Sequence, residues 1–199
     1  MITDRSALKG RSLTAVVGAA IKGGANVIQL RDKKADDHEL ARQARLLLRV
    51  TRPAGIPLII NDRPRVAKAV RADGVHLGQG DASLSAARKI LGKNAIIGRS
   101  THTRRQALLA QQQGFDYIAV GPVFRTPTKP TARPAGLGLV RFAAKKIRVP
   151  FVAIGGIDAF NAAAVREAGA KAIAAVRAIM GAADPKAAAK SLRGPGGRP

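Results

Sequence analysis

Short apolar runs alternate with segments of helical spacing along almost the whole chain. Each run is bounded by glycine, proline or charged residues, which is typical of strands buried on both faces of a parallel sheet. The predicted strands span residues 27–30, 58–60, 74–77, 95–97, 117–120, 151–154 and 172–176, with residues 1–3 as a candidate further strand. The pattern therefore predicts a sheet of parallel strands.

Apolar residues between these runs recur at the spacing of a helix. In segment 37–50, for example, Leu40, Ala44 and Leu47 share one face, and arginines occupy the opposite one. The predicted N-caps, whose side-chain oxygens accept hydrogen bonds from unpaired backbone N–H groups, are Asp36, Ser83 and Thr103. The predicted helices span residues 12–22, 37–50, 64–70, 83–91, 103–113, 138–147, 159–168 and 185–192.

Strict alternation of strand and helix predicts an α/β fold with right-handed crossovers. Eight units in a chain of this length fit a compact single-domain (β/α)8 TIM barrel over residues 1–192. The Gly/Pro-rich segment 193–199 is predicted to be a disordered tail. A doubly wound open sheet is the alternative, and the lack of a Gly-x-Gly-x-x-Gly sequence after the first strand counts against it.

Composition narrows the class of protein. The chain has 199 residues and no cysteine, which excludes a disulfide framework, a thiolate metal site and cysteine catalysis. No apolar run approaches the roughly 18 residues of a membrane span, and the first residues do not resemble a secretory signal. We therefore expect a soluble cytoplasmic protein.

The chain is strongly basic, with 35 Lys and Arg against 12 Asp and Glu and a net charge of +23. Such a charge favours non-specific nucleic-acid binding. However, the basic residues are spread along the whole chain, and only five Phe and one Tyr are available for base stacking. The charge also suits an enzyme of phosphate-bearing substrates. The expected partners are phosphorylated small molecules rather than a specific nucleic acid or a membrane.

Two aspartates follow neighbouring predicted strands. In a TIM barrel the loops after the carboxyl ends of the strands build the active site. Asp62 and Asp81 lie in two such loops, after strands that are about 5 Å apart in a sheet. Two carboxylates there suit Mg²⁺, which takes one or two carboxylates together with substrate phosphates and water. The alternative is that each aspartate caps the helix that follows it.

Two other segments are suited to phosphate. Gly155 and Gly156 are small enough for backbone N–H groups to approach a phosphate, although an ordinary tight turn explains the pair equally well. Thr126, Thr128 and Lys129 offer two hydroxyls and an ammonium group to anionic oxygens, with a solvated basic loop as the alternative.

The remaining polar candidates are basic residues and histidines. Arg31 and Lys33 follow a predicted strand and are expected to share one side of the chain, with an exposed basic rim as the alternative. His102 is the one histidine placed to act as a general acid or base. We expect His76 in the interior and His38 at the surface.

Seven segments carry a family resemblance. They are ITD at 2–4, QLRDK at 29–33, NDR at 61–63, GVHLGQGD at 74–81, STH at 100–102, GPVFRTPTK at 121–129 and AIGGI at 153–157. In this order they resemble the thiamine-phosphate synthase family. The resemblance implies a TIM barrel that joins a hydroxymethylpyrimidine diphosphate to a thiazole phosphate. In that family, magnesium-assisted loss of diphosphate leaves a pyrimidine carbocation, which the thiazole nitrogen traps.

The resemblance also implies a role for each matching residue. Asp62 and Asp81 would ligate Mg²⁺, the implied cofactor, and Ser100 and Lys129 would be the catalytic side chains. The residues implied to bind the pyrimidine and its diphosphate are Gln29, Arg31, Lys33, Asn61, Ser100 and Lys129. Those implied to bind the thiazole phosphate are Thr126, Thr128, Gly156, Val176 and Arg177.

Departures from the family pattern leave alternatives open. Arg177 stands where the family usually has serine, and Arg99 and Arg125 add charge beside the motifs. Residues 98–102 are also similar to thiazole tautomerases, which use a histidine in this loop, so a tautomerase that depends on His102 is one alternative. A non-catalytic basic paralogue that binds nucleic acid is another. The sequence leaves a homo-oligomer open.

Overall fold

The computed structural model describes residues 1–128 and 131–193. Its sheet contains seven strands, and each strand pairs in parallel with the next one along the chain. The strands are β1 (Ile28–Leu30), β2 (Leu58–Asn61), β3 (Gly74–Leu77), β4 (Ile96–Thr101), β5 (Tyr117–Val120), β6 (Phe151–Ile154) and β7 (Ala172–Ala174). The predicted order and direction of these strands are confirmed.

The first residues of the chain lie between the two edge strands, β1 and β7. The backbone N–H of Ile2 donates to the carbonyl of Ala175 at 3.0 Å, and the N–H of Gln29 donates to the carbonyl of Met1 at 2.9 Å. Ile2 also forms a parallel bridge with Gln29. The sheet thus curls round on itself, as the predicted TIM barrel requires. A single bridge takes the place of a full eighth strand.

Helices alternate with the strands. They are α1 (Leu13–Lys22), α2 (Asp37–Thr51), α3 (Pro64–Val70), α4 (Leu84–Leu91), α5 (Arg104–Gln113), α6 (Gly136–Lys146), α7 (Ala162–Glu167), α8 (Arg177–Met180) and α9 (Pro185–Arg193), with a 3-10 turn at Arg5–Ala7. The predicted N-caps Asp36, Ser83 and Thr103 are confirmed, because each side chain accepts a hydrogen bond from the backbone N–H three residues on.

The apolar core lies between the strands and the helices. Leu30 and Ile60 pack in one cluster with Leu40, Ala44 and Leu47 of α2, and each of these side chains is at most 1% exposed. Removing this surface from water stabilises the fold. Because side chains alternate along a strand, the residues between these core positions face the barrel interior.

Strand β4 is longer than predicted. Its pairing with β5 continues through Ser100 and Thr101 instead of ending at residue 97, so Ser100 projects from a strand rather than from a loop. Polar residues in this stretch conceal the strand from a search for apolar runs. Helix α8 was not predicted either, since its four residues are too few to show a helical period.

Helix α7 begins at Ala162, three residues later than predicted. The carboxylate of Asp158 accepts hydrogen bonds from the N–H groups of Phe160 and Asn161 at 3.0 and 3.2 Å, which forms a turn before the helix. At the other end of the chain, α9 continues through Arg193. The other residues of the predicted disordered tail, 194–199, lie outside the described residues.

Within the described ranges, no helix combines the length and the apolar character that crossing a membrane requires.

Candidate active site

A cavity of about 730 Å³ occupies the barrel interior and reaches the carboxyl ends of the strands. Its walls include apolar side chains of the strands, such as Ile59, Val152 and Ile154. The predicted substrate-binding residues that line it are Gln29, Arg31, Asn61, Ser100, Thr126, Thr128, Gly156, Val176 and Arg177. The fold thus brings together residues that are far apart in the sequence. Lys129 lies outside the described residues.

The two predicted metal-binding aspartates face each other at this end of the barrel. Asp62 directly follows β2, and its carboxyl group hydrogen-bonds with that of Asp81, in the loop after β3. A carboxylate oxygen of Asp81 also accepts the N–H of Gly78 at 2.6 Å. The Nζ of Lys33 lies 3.1 Å from the carboxylate of Asp62. Lys33 therefore lies beside the carboxylate pair, and none of these three residues is among those that line the cavity.

The helix-capping alternative for these aspartates is wrong. Helix α3 has Arg63 at its N-cap position, and no side chain among the described residues caps it. Helix α4 is capped by Ser83, whose hydroxyl accepts the N–H of Ala86. Asp62 is instead held in the left-handed region, with φ of 65°. Such a conformation is uncommon outside glycine and stores strain that the surrounding structure must support.

The electrostatics of the pair suit a divalent cation. Partial burial and the neighbouring carboxyl of Asp62 raise the pKa of Asp81 above its ordinary value, since a second negative charge disfavours ionisation. Although Asp81 is exposed as a residue, its carboxylate is turned towards Asp62 and Gly78. A bound cation would remove the repulsion, and two carboxylates are a donor set that Mg²⁺ accepts. In the described part of the chain no cluster of three or more potential metal ligands occurs.

Replacing Asp81 by asparagine will raise the melting temperature of the metal-free protein at neutral pH. The raised pKa means that the folded protein holds the Asp81 proton more tightly than the unfolded chain does. Ionisation therefore costs stability, and this cost is absent in acid and present once the pH exceeds the raised pKa. Asparagine keeps an acceptor for the N–H of Gly78 and removes the charge. Calorimetry at acid and neutral pH measures the effect, and no gain at neutral pH would contradict it.

A buried hydrogen-bond network links two of the predicted pyrimidine-binding residues. Nε2 of His76 lies 2.9 Å from the hydroxyl of Ser100, and Nδ1 lies 2.9 Å from the hydroxyl of Tyr117. Tyr117 in turn hydrogen-bonds with Gln29, and burial raises the pKa of its hydroxyl. Gly98 leaves the room that the tyrosine ring needs, because a Cβ there would lie 2.1 Å from that ring. The network holds Gln29 and Ser100 in fixed positions.

His76 is therefore an interior hydrogen-bonded residue, as predicted, whereas Tyr117 was missed. Within a predicted strand, the sequence pattern assigns a tyrosine to the apolar core. Its hydroxyl becomes visible as a site feature only when β3, β4 and β5 lie side by side. The prediction of an exposed His38 is also confirmed.

The loops after β5 and β6 touch at two glycines. Gly155 and Gly156 have φ of 105° and 65°, which favours glycine. A Cβ on Gly156 would lie 2.4 Å from the carbonyl oxygen of Arg125, and one on Gly155 would lie 2.4 Å from Pro122. The amide of Asn161 donates to the carbonyl of Gly156 at 2.9 Å. This region is more than a tight turn, since two loops depend on its small residues.

Two side chains on this wall have polar groups available for a ligand. The hydroxyl oxygen of Thr128 is buried and has no hydrogen-bond partner among the described residues. The guanidinium group of Arg177 makes no ion pair within the same part of the chain, is exposed, and lines the cavity. A buried polar atom without a partner is costly, so an anionic ligand that accepts its hydrogen bond would be stabilised there.

His102 also reaches the cavity. Its Nδ1 interacts with the carbonyl of Gly121, and its backbone N–H donates to the side chain of Gln106 at 2.7 Å. These contacts hold the imidazole at the edge of the loop after β5. Nε2 is the ring nitrogen of His102 that these contacts do not use.

A parallel barrel that carries its candidate site at the carboxyl ends of the strands has the architecture of TIM-barrel enzymes. Comparisons with known proteins define the family. The sequence model described as thiamine monophosphate synthase matches residues 1–179. This chain belongs to that family.

Individual relatives agree with this assignment. The thiamine-phosphate synthase of Syntrophomonas wolfei is 46% identical over 97% of this chain and 93% of its own length. That of Chloroflexus aurantiacus is 48% identical over 97% of this chain and 89% of its own length. Among solved structures, thiamine phosphate pyrophosphorylase from Pyrococcus furiosus is 38% identical with a TM-score of 0.88, covering 96% of this chain and 91% of its own.

Proposed function

We propose that this chain is a thiamine-phosphate synthase, which condenses a hydroxymethylpyrimidine diphosphate with a thiazole phosphate and releases diphosphate. Its family membership supports this function. The observation that carries the proposal is the facing pair of carboxylates, Asp62 and Asp81, which follow β2 and β3 at the carboxyl end of the barrel. The function rests on the chemistry that this pair makes available.

Asp62 and Asp81 would hold Mg²⁺. Their carboxylates supply hard oxygen ligands and leave coordination positions for substrate oxygens and water. When bound, the ion neutralises the negative charge that develops on the departing diphosphate. Lys33, whose ammonium group lies 3.1 Å from Asp62, would add a second positive charge beside the same leaving group.

The bond changes require no proton transfer. The C–O bond to diphosphate breaks with its electron pair on the leaving oxygen, and the lone pair of the thiazole nitrogen forms the new C–N bond. Catalysis then consists of orienting two substrates and stabilising charge. A site that is rich in cations and hydrogen-bond donors meets this requirement without a general base.

The side chains along the first strands would hold the pyrimidine diphosphate. Gln29 and Ser100, which the buried network positions, would fix the pyrimidine ring. Arg31 and Asn61 line the same cavity and would bind the diphosphate. The catalytic role predicted for Lys129 stays a prediction.

The thiazole phosphate would occupy the wall formed by the loops after β5, β6 and β7. The small residues at Gly155 and Gly156 would let backbone N–H groups approach the phosphate. The hydroxyls of Thr126 and Thr128 would donate to its oxygens. Val176 and Arg177 line the end of the cavity beside them.

Replacing Arg177 by alanine will raise the KM for the thiazole phosphate by roughly tenfold, because a hydrogen bond to a charged group contributes about 1.5–3 kcal/mol in a shielded site and less in an exposed one. The KM for the pyrimidine diphosphate will change little. Steady-state kinetics with each substrate varied in turn measures both values. An equal rise in both constants would show that Arg177 serves the fold or the diphosphate instead.

The direct test of the function is an assay of the purified protein with Mg²⁺ and both phosphorylated precursors. Diphosphate and thiamine phosphate will appear in equal amounts, EDTA will stop the reaction, and His102→Ala will retain turnover. Isomerisation of the thiazole phosphate without diphosphate release, which survives EDTA and is lost in His102→Ala, would support the tautomerase alternative. Salt-sensitive nucleic-acid binding without turnover would support the non-catalytic one.

The cytoplasmic location and the homo-oligomer stay predictions. The proposed substrates account for part of the basic character, since both carry phosphate groups and the cavity presents cations to them.

A further inference from the structure

One metal-binding carboxylate stands on an exposed loop. Asp81 is an exposed residue between α4 and the end of β3, and a Cβ on the neighbouring Gly80 would meet nothing within 4 Å. Packing therefore does not fix the backbone at Gly80, next to Asp81. A carboxylate that must meet Asp62 across a gap between two strands needs its backbone to be held by other means.

Arg99 binds this loop on both sides of Asp81. From the outer face of β4, its Nη2 donates to the carbonyl of Gln79 at 3.2 Å and its Nη1 donates to the carbonyl of Ala82 at 3.4 Å. These carbonyls flank Asp81 in the sequence. A single planar guanidinium group thus links both ends of the segment that carries the carboxylate.

The guanidinium group is itself held in place. Its Cζ lies 5.4 Å from the ring centre of Phe115, which is 2% exposed. Strand pairing with Ile118 on β5 fixes the backbone of Arg99. An arginine that stacks on a buried ring loses less conformational freedom when it forms hydrogen bonds, so its two donors act as a rigid support for the loop.

We propose that Arg99 is a positioning residue for the divalent cation: it holds the Gln79–Ala82 segment so that the carboxylate of Asp81 faces Asp62. The inference rests on the proposed function, because it takes the facing carboxylates to be the cation site. Arg99 contacts neither carboxylate in the described structure, and it acts through two backbone carbonyls.

The charge of Arg99 predicts the opposite effect from its hydrogen bonds. A nearby positive charge repels a cation, so removing it should strengthen metal binding by Coulomb's law. Removing a residue that holds a metal-binding carboxylate in place should weaken metal binding. Such a change typically lowers the affinity for the metal by about tenfold or more. The sign of the change therefore separates the two effects.

A Mn²⁺ titration of the metal-free protein, followed by electron paramagnetic resonance, tests the proposal. Arg99→Met keeps apolar contact with Phe115 but removes the donors, and we expect it to weaken Mn²⁺ binding by about tenfold. Arg99→Lys, which retains one charged donor group, should recover part of this loss. The melting temperature of each variant shows that it is folded.

Arg104→Met is a matched control. The guanidinium group of Arg104 also lies 5.4 Å from an aromatic ring, that of Phe142, but it makes no hydrogen bond to the loop of Asp81. This variant loses the same charge and a similar ring contact, and it should bind Mn²⁺ as the wild type does or slightly more tightly.

Two failures can be told apart. If the wild type binds Mn²⁺ and Arg99→Met binds it equally or more tightly, the positioning role is overturned and the proposed function stands. If the wild type and a variant that lacks both Asp62 and Asp81 carboxylates bind Mn²⁺ alike, the proposed cation site itself is overturned.

Discussion

Asp62→Asn and Asp81→Asn will each lower kcat by about 10²–10³-fold, the usual cost of removing a group that stabilises charge developing in the transition state. Both substitutions keep the size and hydrogen-bonding reach of the side chain and remove one negative charge. The carboxyl groups of Asp62 and Asp81 lie against each other, so neither can be replaced without changing the environment of the other. Initial rates of diphosphate release over a range of Mg²⁺ concentrations measure the effect.

Asp37→Asn provides the control for the change of charge. Asp37 is exposed and pairs with Arg63, the neighbour of Asp62 in the sequence, at 3.0 Å. This variant therefore removes one carboxylate close to the pair but outside it. It should retain the wild-type kcat and Mg²⁺ dependence. A double variant that lacks both carboxylates of the pair should be little worse than either single one, because the two act as a unit. Single variants with nearly full activity would remove the basis of the account.

Gly156→Ala will raise the KM for the thiazole phosphate by roughly a hundredfold, as expected when several charge-assisted hydrogen bonds are lost together. The new Cβ would lie 2.4 Å from the carbonyl oxygen of Arg125 and 2.8 Å from the Cβ of Phe124, in a residue whose φ of 65° already favours glycine. The loops after β5 and β6 would have to separate. This movement displaces Thr126, which is proposed to bind the same phosphate.

Gly138→Ala is the matched control for the glycine substitution. Gly138 lies in helix α6, and a Cβ there would meet nothing within 4 Å. Alanine is favoured over glycine inside a helix, so this variant should keep both KM values and gain slightly in stability. A small effect of Gly156→Ala, with both loops unchanged in a crystal structure of the variant, would contradict the role of this wall in phosphate binding.

The sheet and the proximity of Asp62 to Asp81 could be predicted because both depend on regular features. Parallel strands in sequence order place the residues that follow them at one end of the barrel. Asp62 and Asp81 follow β2 and β3, which are neighbours, so their proximity comes from the topology. The left-handed conformation of Asp62 has no comparable signal in a single sequence, and glycine would be the residue expected there.

Features that depend on contacts between distant side chains could not be predicted. The sequence pattern predicts Arg99 beyond the end of a strand because β4 turns polar at that point, although it lies within the strand and reaches back to the loop after β3. Tyr117 supports His76 through a hydroxyl that strand periodicity does not reveal. Both contacts require residues from different strands to be adjacent, which only the folded chain provides.

The most direct measurement is an anomalous difference map from crystals of the protein grown with Mn²⁺ and inorganic diphosphate. We predict a peak bounded by carboxylate oxygens of both Asp62 and Asp81, at about 2.0–2.2 Å from each, with diphosphate oxygens completing the coordination. A peak at any other position, or diphosphate bound by Lys33 and Arg31 with no cation between the two carboxylates, would contradict it.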